Sequence, residues 1–137
     1  MNREPIFIHR LDVRFRDCDP MGHVNNAVYP TYLEQARFAH WRALWGIDLE
    51  ALPGGTPGVI LARLEIDYRR PAKYGEVLEV RIGLERTGRT SFTYVYEIVD
   101  ALGQLVVDAR SVLVMYDYKH GTPVPIPDDI RQKLGGA

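Results

Sequence analysis

Ten consecutive residues concentrate two carboxylates, a thiol, an imidazole and two amides: Asp17-Cys18-Asp19-Pro20-Met21-Gly22-His23-Val24-Asn25-Asn26. Asp, Pro and Gly are turn formers, and the run ends where a helical pattern begins. The free N–H groups at a helix start carry partial positive charge and hydrogen-bond anionic oxygen. A carboxylate beside them forms a hydrolytic pair: one group attacks or activates water, the other stabilises the charge that develops on a carbonyl oxygen. An Asp just before a helix is more commonly a turn former or cap, and the residues alone leave both roles open. Cys18, flanked by two carboxylates, is a poor nucleophile and reads as structural. His9, His23, His40 and His120 have no metal-ligand spacing. Gly54-Gly55-Thr56-Pro57-Gly58 lacks the Lys-Ser/Thr of a phosphate loop. No metal and no cofactor are expected.

These residues have to be positioned by their flanks. Ile6 to Arg16 reads as a strand, with Leu11, Val13 and Phe15 alternating with Asp12, Arg14 and Arg16. A helix is expected from about Asn26 to Trp45. Tyr29, Tyr32, Leu33, Ala36, His40, Ala43 and Leu44 recur at three- and four-residue spacing, while Glu34, Gln35, Arg37 and Arg42 fall mostly elsewhere. Asn25 or Asn26 caps its start, Pro30 sits where a missing N–H costs least, and Gly46 supplies the stop. A Gly- and Pro-rich loop, Leu52 to Gly58, follows. Four strands come next: Val59 to Arg69, Glu76 to Arg86, Thr90 to Val99 and Gln104 to Tyr118. Short connections between successive runs imply antiparallel pairing. Pro125 to Leu134 adds a short terminal helix. The order predicts one α+β domain over residues 1–137, with one long central helix against a five-stranded antiparallel sheet. The sheet edges need cover, which side-by-side dimerisation supplies.

The net charge of −1 offers no basic face for nucleic acid and no polybasic membrane anchor. No apolar run approaches the roughly 20 residues that span a bilayer, and the first ten residues hold no stretch of signal-peptide length. The single cysteine excludes an internal disulfide. A cytoplasmic location is expected.

The run Val13-x-Phe15-x-Asp17-Cys18-Asp19-Pro20-x-Gly22-His23-Val24-Asn25-Asn26-x-x-Tyr29, continued by Tyr32-Leu33-Glu34-x-Ala36-Arg37, resembles the 4-hydroxybenzoyl-CoA thioesterase-like family of hotdog-fold acyl-CoA thioesterases. Asp67-Tyr68-x-x-Pro71-Ala72-x-Tyr74-Gly75-Glu76 and Arg89-Thr90-Ser91-Phe92 are similar to later turns of that family. The resemblance covers approximately residues 8 to 119. It implies a sheet wrapped around one helix, a homodimer or homotetramer, and an acyl-CoA site at the subunit interface. Asp19 then corresponds to the catalytic carboxylate, as nucleophile or as general base on water. The Asn26 backbone N–H corresponds to the oxyanion donor. His23 is a candidate for orienting Asp19 or contacting the thioester, and Asp17 for shaping the turn. Asn25 and Asn26 stand where hydroxybenzoyl-specific members carry an aromatic pair. Asn25 and Tyr29 adjoin the substrate, while Tyr32 and Trp41 serve the acyl pocket or the core. The phosphates of CoA call for cations. Arg69, Arg70 and Lys73 flank one turn, Arg86 and Arg89 another, and Lys119 ends the last strand. Glu34 is a fallback base, or else a member of a buried or interfacial ion pair with Arg37 or another cation. The alternatives are a carrier-protein thioesterase and a non-catalytic acyl-CoA-binding domain.

Overall fold

The computed structural model describes residues 4–45 and 58–135. The expected stop at Gly46, and all but the last residue of the expected loop Leu52 to Gly58, lie outside them. Strand β1 (Phe7–Asp12) runs through a 3-10 turn (Phe15–Asp17) into the site loop and helix α1 (Tyr29–Trp45). Strands β2 (Gly58–Tyr68), β3 (Val77–Thr87), β4 (Ser91–Val99) and β5 (Leu105–Asp117) follow, then a two-residue β6 (Thr122–Pro123) and a short helix α2 (Asp128–Lys133). All ladders are antiparallel, in the order β1-β3-β4-β5-β2, with β6 on β5.

The first strand ends earlier than its alternation predicts. Val13 is buried, but Phe15 is 79% exposed. The reason is local: Asp17 accepts from the Arg14 N–H and guanidinium, which bends the chain into the 3-10 turn. The helix starts three residues later than expected. Asn25 takes the Ala27 N–H on its side chain at 2.9 Å and the Val28 N–H on its carbonyl at 2.8 Å. The first i→i−4 bond of α1 is Tyr32 N–H to Val28 O.

One face of α1 buries Tyr29, Tyr32, Leu33, Ala36, His40 and Trp41 against the sheet, where Val80, Ile82, Phe92, Tyr94, Tyr96 and Ile98 meet it. Two assignments of the helical face change: Ala43 is exposed and Arg37 is buried. Arg37 turns inward because its guanidinium reaches the Tyr96 hydroxyl at 3.3 Å. His40 Nδ1 lies 2.8 Å from the Tyr94 hydroxyl, which also accepts from Trp41 Nε1.

Successive strands β3, β4 and β5 pair as expected, but β2 and β3 do not. The 69–76 connection is too firmly tied elsewhere to close a hairpin. The N–H groups of Arg69 and Arg70 donate to Val106 O, Val24 N–H to Ala72 O, and Val13 N–H to Glu76 O. The connection therefore crosses one end of the sheet, from the β2 edge toward β1. It pairs with the site loop at His23–Lys73 and clamps that loop onto the sheet.

Candidate active site

The two aspartates of the loop have different surroundings. Asp17 is 3% exposed and its oxygens are occupied. Arg14 donates from its backbone N–H (3.0 Å) and guanidinium (3.0 Å), and the Tyr32 hydroxyl from α1 at 2.7 Å. Burial alone would push the Asp17 carboxyl up. The Arg14 and Tyr32 hydrogen bonds outweigh it and hold the group below its ordinary range. Burial, together with the Asp17 charge, pushes the Tyr32 hydroxyl well above its ordinary value, so it stays a donor.

Asp19 is half-buried and less engaged. Its Oδ1 accepts the Met21 N–H at 2.9 Å and the His23 N–H at 3.4 Å, and Oδ2 has no donor among the described residues. Asp19 N–H to His23 O and Gly22 N–H to Asp19 O close the turn around it. Gly22 has φ +86°, a left-handed conformation that a side chain at this position would strain. His23 therefore meets Asp19 through its backbone; its ring makes no hydrogen bond to that carboxylate.

A cavity of about 270 Å³ opens here. It gathers Asp19, His23, Asn26, Tyr29, Arg69 and Arg70 of the predicted residues, together with Val24, Tyr68 and Pro71. Asn26 lies in the turn before α1, and not in the helix's first turn. Its backbone N–H has no acceptor among the described residues. Asn25 stands beside the cavity with its amide oxygen committed to the cap. Tyr29 accepts the Ala72 N–H on its hydroxyl, which fixes the cavity wall. Tyr68, which the residue pattern did not single out for function, donates to Asn26 O at 3.0 Å and packs edge-on to Tyr29 at 5.6 Å. The signal in the residues is the Asp67-Tyr68-x-x-Pro71 run, whose resemblance to a family turn places Tyr68 beside that turn.

The cations separate into two groups. Arg70 lines the cavity, but the two terminal nitrogens of its guanidinium are held by Glu76, Asp100 and Pro71 O. Arg69 is half-exposed and bonds Asp108 at 3.0 Å. Arg86 and Arg89 lie at the β3–β4 reversal, at the opposite end of the sheet, so one chain does not bring them to Asp19. Lys119, just beyond β5, is at that far end too. Glu34 is exposed on α1 and lines no part of the cavity. Larger grooves cross the outer sheet face, lined by charged side chains such as Glu65, Asp67, Glu97 and Asp108. Among the described residues no group of three or more His, Cys, Asp or Glu side chains is placed to hold a metal ion. No described helix is long and apolar enough to cross a membrane.

Asp19, with one oxygen held and one free, and Asn26, with an unbonded N–H, thus line the same small cavity. The chain belongs to the thioesterase-like superfamily, whose family model matches residues 13–134, and its fold is the hotdog fold. It is 28% identical over 127 residues to the long-chain acyl-CoA thioesterase FadM of Escherichia coli, covering 91% of this chain and 94% of that one. It is 26% identical to the chloroplastic acyl-acyl carrier protein thioesterase ATL3 of Arabidopsis thaliana, over 92% of this chain and 67% of that one. Among solved structures, a Thermus thermophilus thioesterase in complex with coenzyme A and zinc matches at 34% identity. The match has a TM-score of 0.83 and covers 98% of this chain and 94% of that one.

Proposed function

We propose that the protein hydrolyses acyl-CoA thioesters to a free carboxylic acid and CoA, with Asp19 as its catalytic carboxylate. The carrying observation is the pairing of the free Asp19 Oδ2 with the unbonded Asn26 N–H in one cavity. The thioester carbonyl oxygen accepts from the Asn26 N–H, close to the positive end of α1. Asp19 then attacks the carbonyl carbon, or takes a proton from a water that does. The new C–O bond forms as the C–S bond breaks, and the CoA thiolate leaves and is protonated. Where Asp19 is the nucleophile, water cleaves the resulting anhydride in a second step. His23 supplies a backbone N–H that orients Asp19, and Tyr68 holds the Asn26 turn.

The working form is a homodimer, joined at the β2 edge, whose outer side pairs with no other described strand. A two-fold axis through β2 sets the partner's Gly58 end beside this chain's Tyr68 end. The partner's Arg86 and the partner's Arg89 then approach the cavity, where the CoA phosphates need cations. Cytoplasmic location follows from the acyl-CoA substrate. The resemblance to ATL3 supports a second reading, in which the acyl group arrives on a carrier protein.

Free-thiol release from short, long and aromatic acyl-CoAs tests the reading. The same acyl groups on carrier protein form the second arm. Turnover of CoA esters at higher kcat/KM is expected. Turnover of carrier esters alone would replace the substrate class, and no turnover of either would overturn the enzyme reading.

A further inference from the structure

The middle of α1 holds a charge that the hydrolytic site does not use. Arg37 is 4% exposed, yet it makes one hydrogen bond, from Nη1 to the Tyr96 hydroxyl, and its Nε is buried without an acceptor. No carboxylate pairs with it among the described residues. A buried cation without a counter-ion is costly, and side chains of this kind are normally paired.

The surroundings indicate where the counter-ion comes from. At 100° per residue, Arg37 lies about 140° round the helix from Tyr32, which faces Asp17 and β1. Arg37 is thus on the flank toward β5 and β2. Register places Tyr96, Ala109 and Ile66 in one row across the inner sheet face, and Tyr94, Ser111 and Leu64 in the next. Ile66, Leu64 and Ala109 are only half-buried, so α1 leaves this strip of its own sheet partly uncovered. Glu34 lies about 60° beyond Arg37 on the same flank. It is exposed and has no partner among the described residues. The two do not pair within the chain, because the guanidinium turns inward to Tyr96.

We infer that this flank and the uncovered strip receive a second copy of the chain, and that Glu34 of the partner subunit supplies the carboxylate for Arg37. The inference rests on the two-fold dimer proposed above and names the contact that fixes its register. A two-fold interface is reciprocal, so one Glu and one Arg on the same flank generate two ion pairs across the axis. The apolar strip beside them becomes the dry part of the interface, where truncating one member of a charge pair is most damaging.

Sedimentation equilibrium on the full chain and its variants tests this. Wild type is expected to dimerise, and Glu34→Gln, at a position exposed in the single chain, to raise the dimer dissociation constant about tenfold or more. Glu34→Arg and Arg37→Glu should each be monomeric at concentrations where wild type is dimeric. Mixing these two variants should restore a heterodimer, because both crossed pairs then join opposite charges. A wild-type monomer at all concentrations would overturn the dimer itself. A wild-type dimer that Glu34→Gln and Glu34→Arg leave unchanged would overturn the ion pair while leaving the dimer standing, even if Arg37→Glu failed to fold.

Discussion

Asp17 and Asp19 are two residues apart on one loop and occupy opposite conditions. Asp17 is buried and saturated by Arg14 and Tyr32, whereas Asp19 is half-buried with one oxygen held and one free. The mid-helix cluster sharpens the contrast. His40, Tyr94 and Trp41 form a closed set whose hydrogen bonds are made inside the core. Polar groups whose capacity is used up shape the fold. Those left with spare capacity at a cavity are the ones available for chemistry.

The largest expected effect follows from Asp19. Asp19→Asn should lower kcat about 10²- to 10⁴-fold, the range for loss of a positioned acid–base group, with the melting temperature nearly unchanged. Next comes His40, whose ring burial pushes down to a pKa of about 4. An unfolded ring protonates near 6.5, so the unfolded state binds the proton first as pH falls. Stability should drop by about 3 kcal/mol between roughly pH 6.5 and 4. Urea titrations at several pH values check this, and His40→Phe should flatten the slope in that window.

Asp17 gives a slightly smaller effect in a different window. Its carboxyl is depressed, so its stabilisation is present above the ordinary Asp value near 3.9 and is lost as pH falls through the lower folded value. Asp17→Asn should cost about 2–3 kcal/mol in denaturant unfolding, the scale of hydrogen bonds to a charged group. The smallest effect belongs to Tyr68→Phe, which removes one bond to Asn26 O. It should cost about 1 kcal/mol of transition-state stabilisation, read as kcat/KM, with little change in melting.

Much of this was legible in the residues. The alternation of β3, β4 and β5 and the spacing of Tyr29, Leu33, Ala36 and His40 report burial directly, because one face of each element meets the core. The turn residues around Asp19 mark the candidate loop, and six of the residues singled out line one cavity beside it. Other features depend on contacts distant in sequence. Phe15 continues the alternation of β1, but Arg14 and Asp17 turn the chain out of the sheet. Nothing local says that the 69–76 turn crosses the sheet, since that depends on Val106, Val24 and Val13. Arg37 looks like a surface residue until Tyr96, 59 positions away, offers it a hydroxyl. Arg86 and Arg89 cannot be placed against the cavity from one chain.

The most direct test of the contrast is thiol release from one well-turned-over acyl-CoA by wild type, Asp19→Asn and Asp17→Asn, with thermal melting on the same samples. Asp19→Asn should lose turnover and keep its melting temperature, while Asp17→Asn should melt earlier and retain a substantial share of turnover per folded molecule. Full turnover by Asp19→Asn, with activity abolished in a normally melting Asp17→Asn, would reverse the two roles and contradict the account.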